Sequence, residues 1–103
     1  MIINKTPHPI HLYKGDKVET LQPVAPCPRV ATTQTKLFDL DGVPVMATSF
    51  GAVQDLPAPA DGTFLIVSRL VISACPDRRD LVCPDQLVRD DKGQIIGCRG
   101  FSI

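Results

Sequence analysis

Proline occupies ten of 103 positions and falls largely in clusters, at Pro7 and Pro9, at Pro23, Pro26 and Pro28, at Pro57 and Pro59, and at Pro76 and Pro84. Each one removes a backbone donor and fixes φ, so no long helix can run through such a chain. The stretches between clusters are short and carry strand signals. Residues 10–13 and 18–21 flank Lys14-Gly15-Asp16-Lys17, a first hairpin. Residues 29–33 form a short strand. Residues 35–40 and 43–50 flank Asp41-Gly42, a dipeptide suited to the positive φ angles of a tight hairpin turn. Pro44, close to that turn, is tolerated on an edge strand.

Residues 51–62, with Leu56-Pro57-Ala58-Pro59-Ala60-Asp61-Gly62, read as a loop, and 63–67 as a buried strand. Ser68 then caps a short helix over 69–75 that Pro76 ends. A strand continuing through Ile72 is the alternative, but a strand reaching Cys75 would be unusually long. Residues 76–80 form a charged turn, and 81–83 and 87–89 two short strands around Pro84-Asp85. In the closing segment two apolar runs flank Asp90-Asp91-Lys92-Gly93, and the second ends in Gly97-Cys98-Arg99-Gly100. This is a last hairpin with small and charged groups at its exit. The fold expected is one mostly β (α+β) domain over residues 1–103, a small antiparallel curled sheet or barrel with one or two short helices.

Eleven basic and eleven acidic side chains cancel. Zero net charge supplies no long-range attraction to nucleic acid, so general nucleic-acid binding is not expected. The five aromatic side chains are few for stacking on single-stranded bases. No basic segment followed by an apolar core opens the chain, and the longest apolar run, 64–74, is broken by Ser68, Arg69 and Ser73. A cytoplasmic protein without membrane contact is expected. Cys27, Cys75, Cys83 and Cys98 are then read in a reducing compartment. No C-x-x-C pair is present to seat a metal, and free, buried or half-buried thiols are predicted. Phosphate-loop, dinucleotide and His-based zinc motifs are missing too, so neither cofactor nor metal is expected.

Three stretches together are familiar: Asn4-Lys5-Thr6-Pro7-His8-Pro9-Ile10, residues 65–71, and the tail from Leu87 through Phe101. They resemble a family of small bacteriophage and prophage proteins with an N-x-T-P-H-x-I start and a V-R-D-x-x-G-x-x-I-G-C-x-G end. The resemblance spans nearly the whole chain and is weakest over 22–36. It implies a stand-alone module acting in a bacterial host cell, and it implies no chemistry.

Six residues are candidates for ligand contact: Thr6, His8, Arg69, Arg89, Gly97 and Arg99. Guanidinium groups grip phosphate or carboxylate through paired hydrogen bonds, and glycines let backbone amides approach the same anion. His8, beside a rigid turn, can contact a ligand, or it can pack structurally while Thr6 satisfies a turn amide. Arg78 and Arg79 lie among Asp77 and Asp80 and are read as ion pairs on a solvated face. Cys98 as a nucleophile would need His8 or His11 as its base, and nothing in the sequence brings either alongside. A non-catalytic binding module follows. Its partner is either a small anionic ligand, such as a nucleotide-derived signal of host defence, or a host or phage protein that it inhibits or assists. Exposed strand edges also suit a homodimer.

Overall fold

In the computed structural model, which describes residues 1–103, eight strands and one helix follow in the order β1 (Ile2–Asn4), β2 (Ile10–Lys14), β3 (Lys17–Leu21), β4 (Arg29–Leu40), β5 (Val43–Gln54), β6 (Phe64–Ile66), α1 (Arg69–Ala74), β7 (Leu81–Arg89) and β8 (Ile95–Ser102). Six strands make one curled sheet in the order β1-β6-β7-β8-β2-β3, and β4 and β5 pair only with each other. The curled β sheet with a short helix agrees with the sequence reading. Within the sheet, however, β1–β6, β6–β7 and β2–β8 are parallel pairs, while β2–β3 and β7–β8 are antiparallel. The β6–α1–β7 crossover accounts for one parallel pair, since a connection must carry the chain back before a parallel strand can start, here through a helix.

Turn chemistry sets the hairpins. Gly15 has φ 58°, Gly93 has φ 79°, and Asp41 and Gly42 both have positive φ, 51° and 82°. The last hairpin is further braced by the Asp90 carboxylate, which accepts from the Lys92 and Gln94 amides at 2.9 and 3.0 Å. Ser68 caps α1 as expected, its hydroxyl oxygen accepting from the Val71 amide.

The strands differ from the sequence reading by the addition of β1 and in the extents of β7, β4 and β5. Residues 81–89 form one strand rather than two. The Asp80 and Val82 carbonyls accept from the Leu65 and Val67 amides, so the even residues of β7 face β6. Pro84 is the next even residue, lies beyond the end of β6, and its missing amide therefore breaks no ladder. Likewise β4 and β5 each run for twelve residues, with β5 continuing to Gln54 through Gly51, and two register shifts near Ala31 and Leu37 absorb the irregularity.

The sheet curls until its edges nearly meet. Asn4 bridges to Pro23, and the Val24 amide donates to the Asn4 carbonyl at 2.9 Å. The Asn4 side chain stitches this seam, its amide donating to the carbonyls of His8 (2.8 Å) and Leu21 (2.9 Å). Inside the curl lie Ile10, Leu12, Ile66, Val82 and Cys98. On the other side Leu65, Val67 and Leu81 pack against Val71 of α1, joined by Val30 and Val53 from the base of the β4–β5 ribbon. Beyond that base the ribbon stands away from the sheet.

Candidate functional site

The six sequence-predicted contact residues do not converge on one site, and most of them are engaged within the molecule. Thr6 donates its amide (2.9 Å) and its hydroxyl (2.6 Å) to the Asn4 side-chain oxygen. His8 is exposed, and the contact it contributes is its backbone carbonyl, within the Asn4 seam. Arg69 donates to the Ile103 carbonyl (3.0 Å) and the Ser102 hydroxyl (2.6 Å), so it fastens the helix to the end of β8. Arg89 donates to the Gly93 carbonyl at 2.9 Å and closes the last turn.

Gly97 and Arg99 do come together, over Tyr13. A Cβ at Gly97 would fall inside 3.0 Å of the Tyr13 ring and of the His11 carbonyl, so only glycine lets β8 lie this close to β2. The Arg99 guanidinium stands 5.9 Å from the Tyr13 ring centre, a cation–π contact on an exposed face.

All four cysteines are free, Cys83 and Cys98 buried and Cys27 and Cys75 half-buried. Cys98 packs among Leu12, Ile66 and Val82, and burial pushes its thiol pKa up, partly offset by a hydrogen bond with the Gly100 backbone. That environment favours the thiol over the nucleophilic thiolate. His11 belongs to the outer face of β2, where its Nδ1 lies 3.0 Å from the Thr20 hydroxyl.

Two further features were not singled out in the sequence. The first is the ribbon, an arm of two twelve-residue strands and therefore roughly 40 Å long. Alternation along β5 puts Val43, Val45, Ala47 and Ser49 on one face, opposite Leu40, Phe38, Thr35 and Thr33 of β4. Near the tip this face is apolar, with Phe38, Leu40 and Val43 each more than half exposed. On the opposite face Phe50, nearer the base, lines a small cavity of about 160 Å³ with Leu70 and Ala74 of the helix. β5 carries no charged side chain, and the arm's Lys36 pairs with Asp39 at 2.8 Å.

The second is a cleft of about 520 Å³ between the end of β1 and the base of the arm, bordered by Lys5, Thr6, Pro26, Arg29, Asp55 and Ser68. Lys5 is only 7% exposed. The molecule's three ion pairs, Lys14–Glu19, Lys36–Asp39 and Arg78–Asp80, include neither Lys5 nor Arg29. A third depression, about 410 Å³, is an open groove walled by Pro9, Ile10, His11, Leu87, Ile95 and Ile96. Comparison of the chain with protein-family models, with curated proteins and with solved structures finds no match.

Lys5 lies inside the Asn4–Ile10 stretch that attracts notice in the sequence, yet nothing there marks it. Its burial is created by β1 pairing with β6 and by the approach of the segment before β4, neither of which leaves a local pattern. The arm was half visible, through Asp41-Gly42. Its uncovered state follows only from the absence of any third strand beside it.

Proposed function

We propose that the protein is a non-catalytic binding module that works by presenting the β4–β5 arm to a protein partner. The observation that carries this reading is the arm itself. A lone two-stranded ribbon is marginal in water, and this one keeps an apolar tip face and two free strand edges away from the body of the molecule. Such a ribbon offers a partner backbone hydrogen bonds along an edge and side-chain contacts on a face, the two ingredients of recognition by strand addition. The uncharged β5 and the balanced Lys36–Asp39 pair on β4 suit an apolar or β-edge partner better than a charged polymer. The resemblance to phage-borne proteins supports a partner made by a phage or its bacterial host. A small anionic ligand is a second reading, favoured by the cleft beside Lys5.

The test is a photo-crosslinking amino acid placed at position 38, near the arm tip, with the same group at position 64 on the sheet as control. Both positions are about half exposed. A discrete protein adduct in infected cells from position 38, missing from position 64, is the expected result. Adducts at both positions or at neither would remove the arm as the contact surface.

A further inference from the structure

Arginines and glycines drew attention to anion binding in the sequence, but the least exposed basic residue of this molecule, and one without a carboxylate partner, is Lys5. Its amide donates to the Ile66 carbonyl at 2.9 Å, which fixes its backbone at the end of the β1–β6 ladder. With 7% of the residue exposed, most of its backbone and side chain is packed away from water. A buried charge is costly unless an opposite charge or a set of hydrogen bonds compensates it. No carboxylate lies within ion-pair distance of Lys5, and its side chain makes no hydrogen bond inside the protein. No side-chain polar atom is both fully buried and unpartnered, so the ammonium still reaches open space. The one cavity that Lys5 borders is the cleft between β1 and the arm base.

The other polar groups of the cleft fit the same charge. Arg29, at the start of β4, is exposed and unpaired, and its five donors lie in a planar fork. The Ser68 hydroxyl oxygen accepts from the Val71 amide at 3.3 Å and keeps its own proton to donate. Asp55 is the only carboxylate on the lining, against two cations. Pro7, Pro26 and Pro28 wall the cleft with backbone that has little freedom left to lose on binding.

We infer that this cleft is an oxyanion site that takes a phosphate group, with Lys5 as the central charge and Arg29 and Ser68 as donors from its rim. An ammonium, a guanidinium fork and a hydroxyl on separate elements suit a tetrahedral oxyanion better than a two-oxygen carboxylate. The volume lies within the usual range for small-molecule sites and exceeds what a bare phosphate needs, which leaves room for an ester substituent. This site rests on observations separate from those behind the arm, and either can fail alone.

Titration calorimetry with inorganic phosphate and with adenosine monophosphate tests it, against chloride at equal ionic strength. Lys5→Met keeps the length of the side chain and removes the charge, a change that buried sites often tolerate or gain from. It is expected to weaken phosphate binding roughly ten- to hundredfold, the size of a lost charged hydrogen bond. Arg29→Gln, at an exposed position where folding is not at stake, should weaken it in the same direction and carries the test by itself if Lys5→Met fails to fold. Tighter binding of the nucleotide than of phosphate would identify an esterified ligand, and the reverse a free anion. No heat above the chloride control with either probe, or affinity unchanged in the variants, would overturn the site.

Discussion

Arg78 and Asp80 show how a residue pair that reads as surface charge becomes structural. The guanidinium donates Nε to Oδ1 and Nη2 to Oδ2, both at 2.8 Å, and Nη2 also reaches the Pro57 carbonyl at 2.9 Å. The side chains are only 19% and 15% exposed, so the sequence reading of a solvated pair is corrected: the loop around Pro57 lies against it. The arginine holds the Asp80 carboxyl below its ordinary pKa, chiefly through these hydrogen bonds and against the opposing effect of burial. A carboxylate depressed in the folded state adds stability above the unfolded value near 3.9, and this is lost as pH falls through the lower folded value. Asp80→Asn is therefore expected to cost about 1–3 kcal/mol at neutral pH, with the difference from wild type shrinking in acid. Urea unfolding at pH 7 and near pH 3 checks both; an equal cost at the two pH values would refute the linkage. Arg78 and Asp80 stand two apart, so their pairing was legible, whereas its burial depends on a loop more than twenty residues away and was not.

At the scale of elements, the local and the non-local parts of the fold separate cleanly. Asp41-Gly42, Ser68 and the Asp90–Gly93 turn act on immediate neighbours, and each did what its residue types demand. The continuity of β7 through Pro84 depends on where β6 stops, which no residue near Pro84 encodes. Lys5 was opaque for the same reason: its environment is assembled by tertiary pairing. The arm also belongs at this scale. Toward the tip, beyond Phe50 and its contact with the helix, it has no apolar cover, and segments with few buried contacts open at low free energy. In hydrogen exchange its distal amides, around Thr35 and Ala47, are expected to exchange far faster than those of Ile66 and Val82 in the free protein. They should slow on addition of a partner that docks there. Protection equal to that of the core in an isolated monomer would mean that the arm is covered in some other way.

The whole molecule is elongated. Its radius of gyration is 16.8 Å and its extents are 53 × 39 × 21 Å, whereas a compact chain of this length has a radius near 13 Å. Only 12 of 103 residues are buried, because about a quarter of the chain projects from the body as the arm. Small-angle scattering of a monomeric solution should return a radius close to the larger figure, and a value near 13 Å would mean that the arm folds back onto the sheet. That balance between a small core and a long projection was not readable from composition, which is that of an ordinary globular domain.

The strand order also dictates a timetable for synthesis. β1 finds its neighbour in β6, and β2 completes its flank only when Cys98 of β8 arrives opposite Leu12. A nascent chain thus carries β1 unpaired until β6 emerges, and the β2–β3 hairpin keeps one flank open until β8 is made. The arm has no such wait, because both of its strands and their turn lie within residues 29–54 and can close as soon as they emerge. The part of the molecule with the least cover can take its shape before the sheet that anchors it is complete.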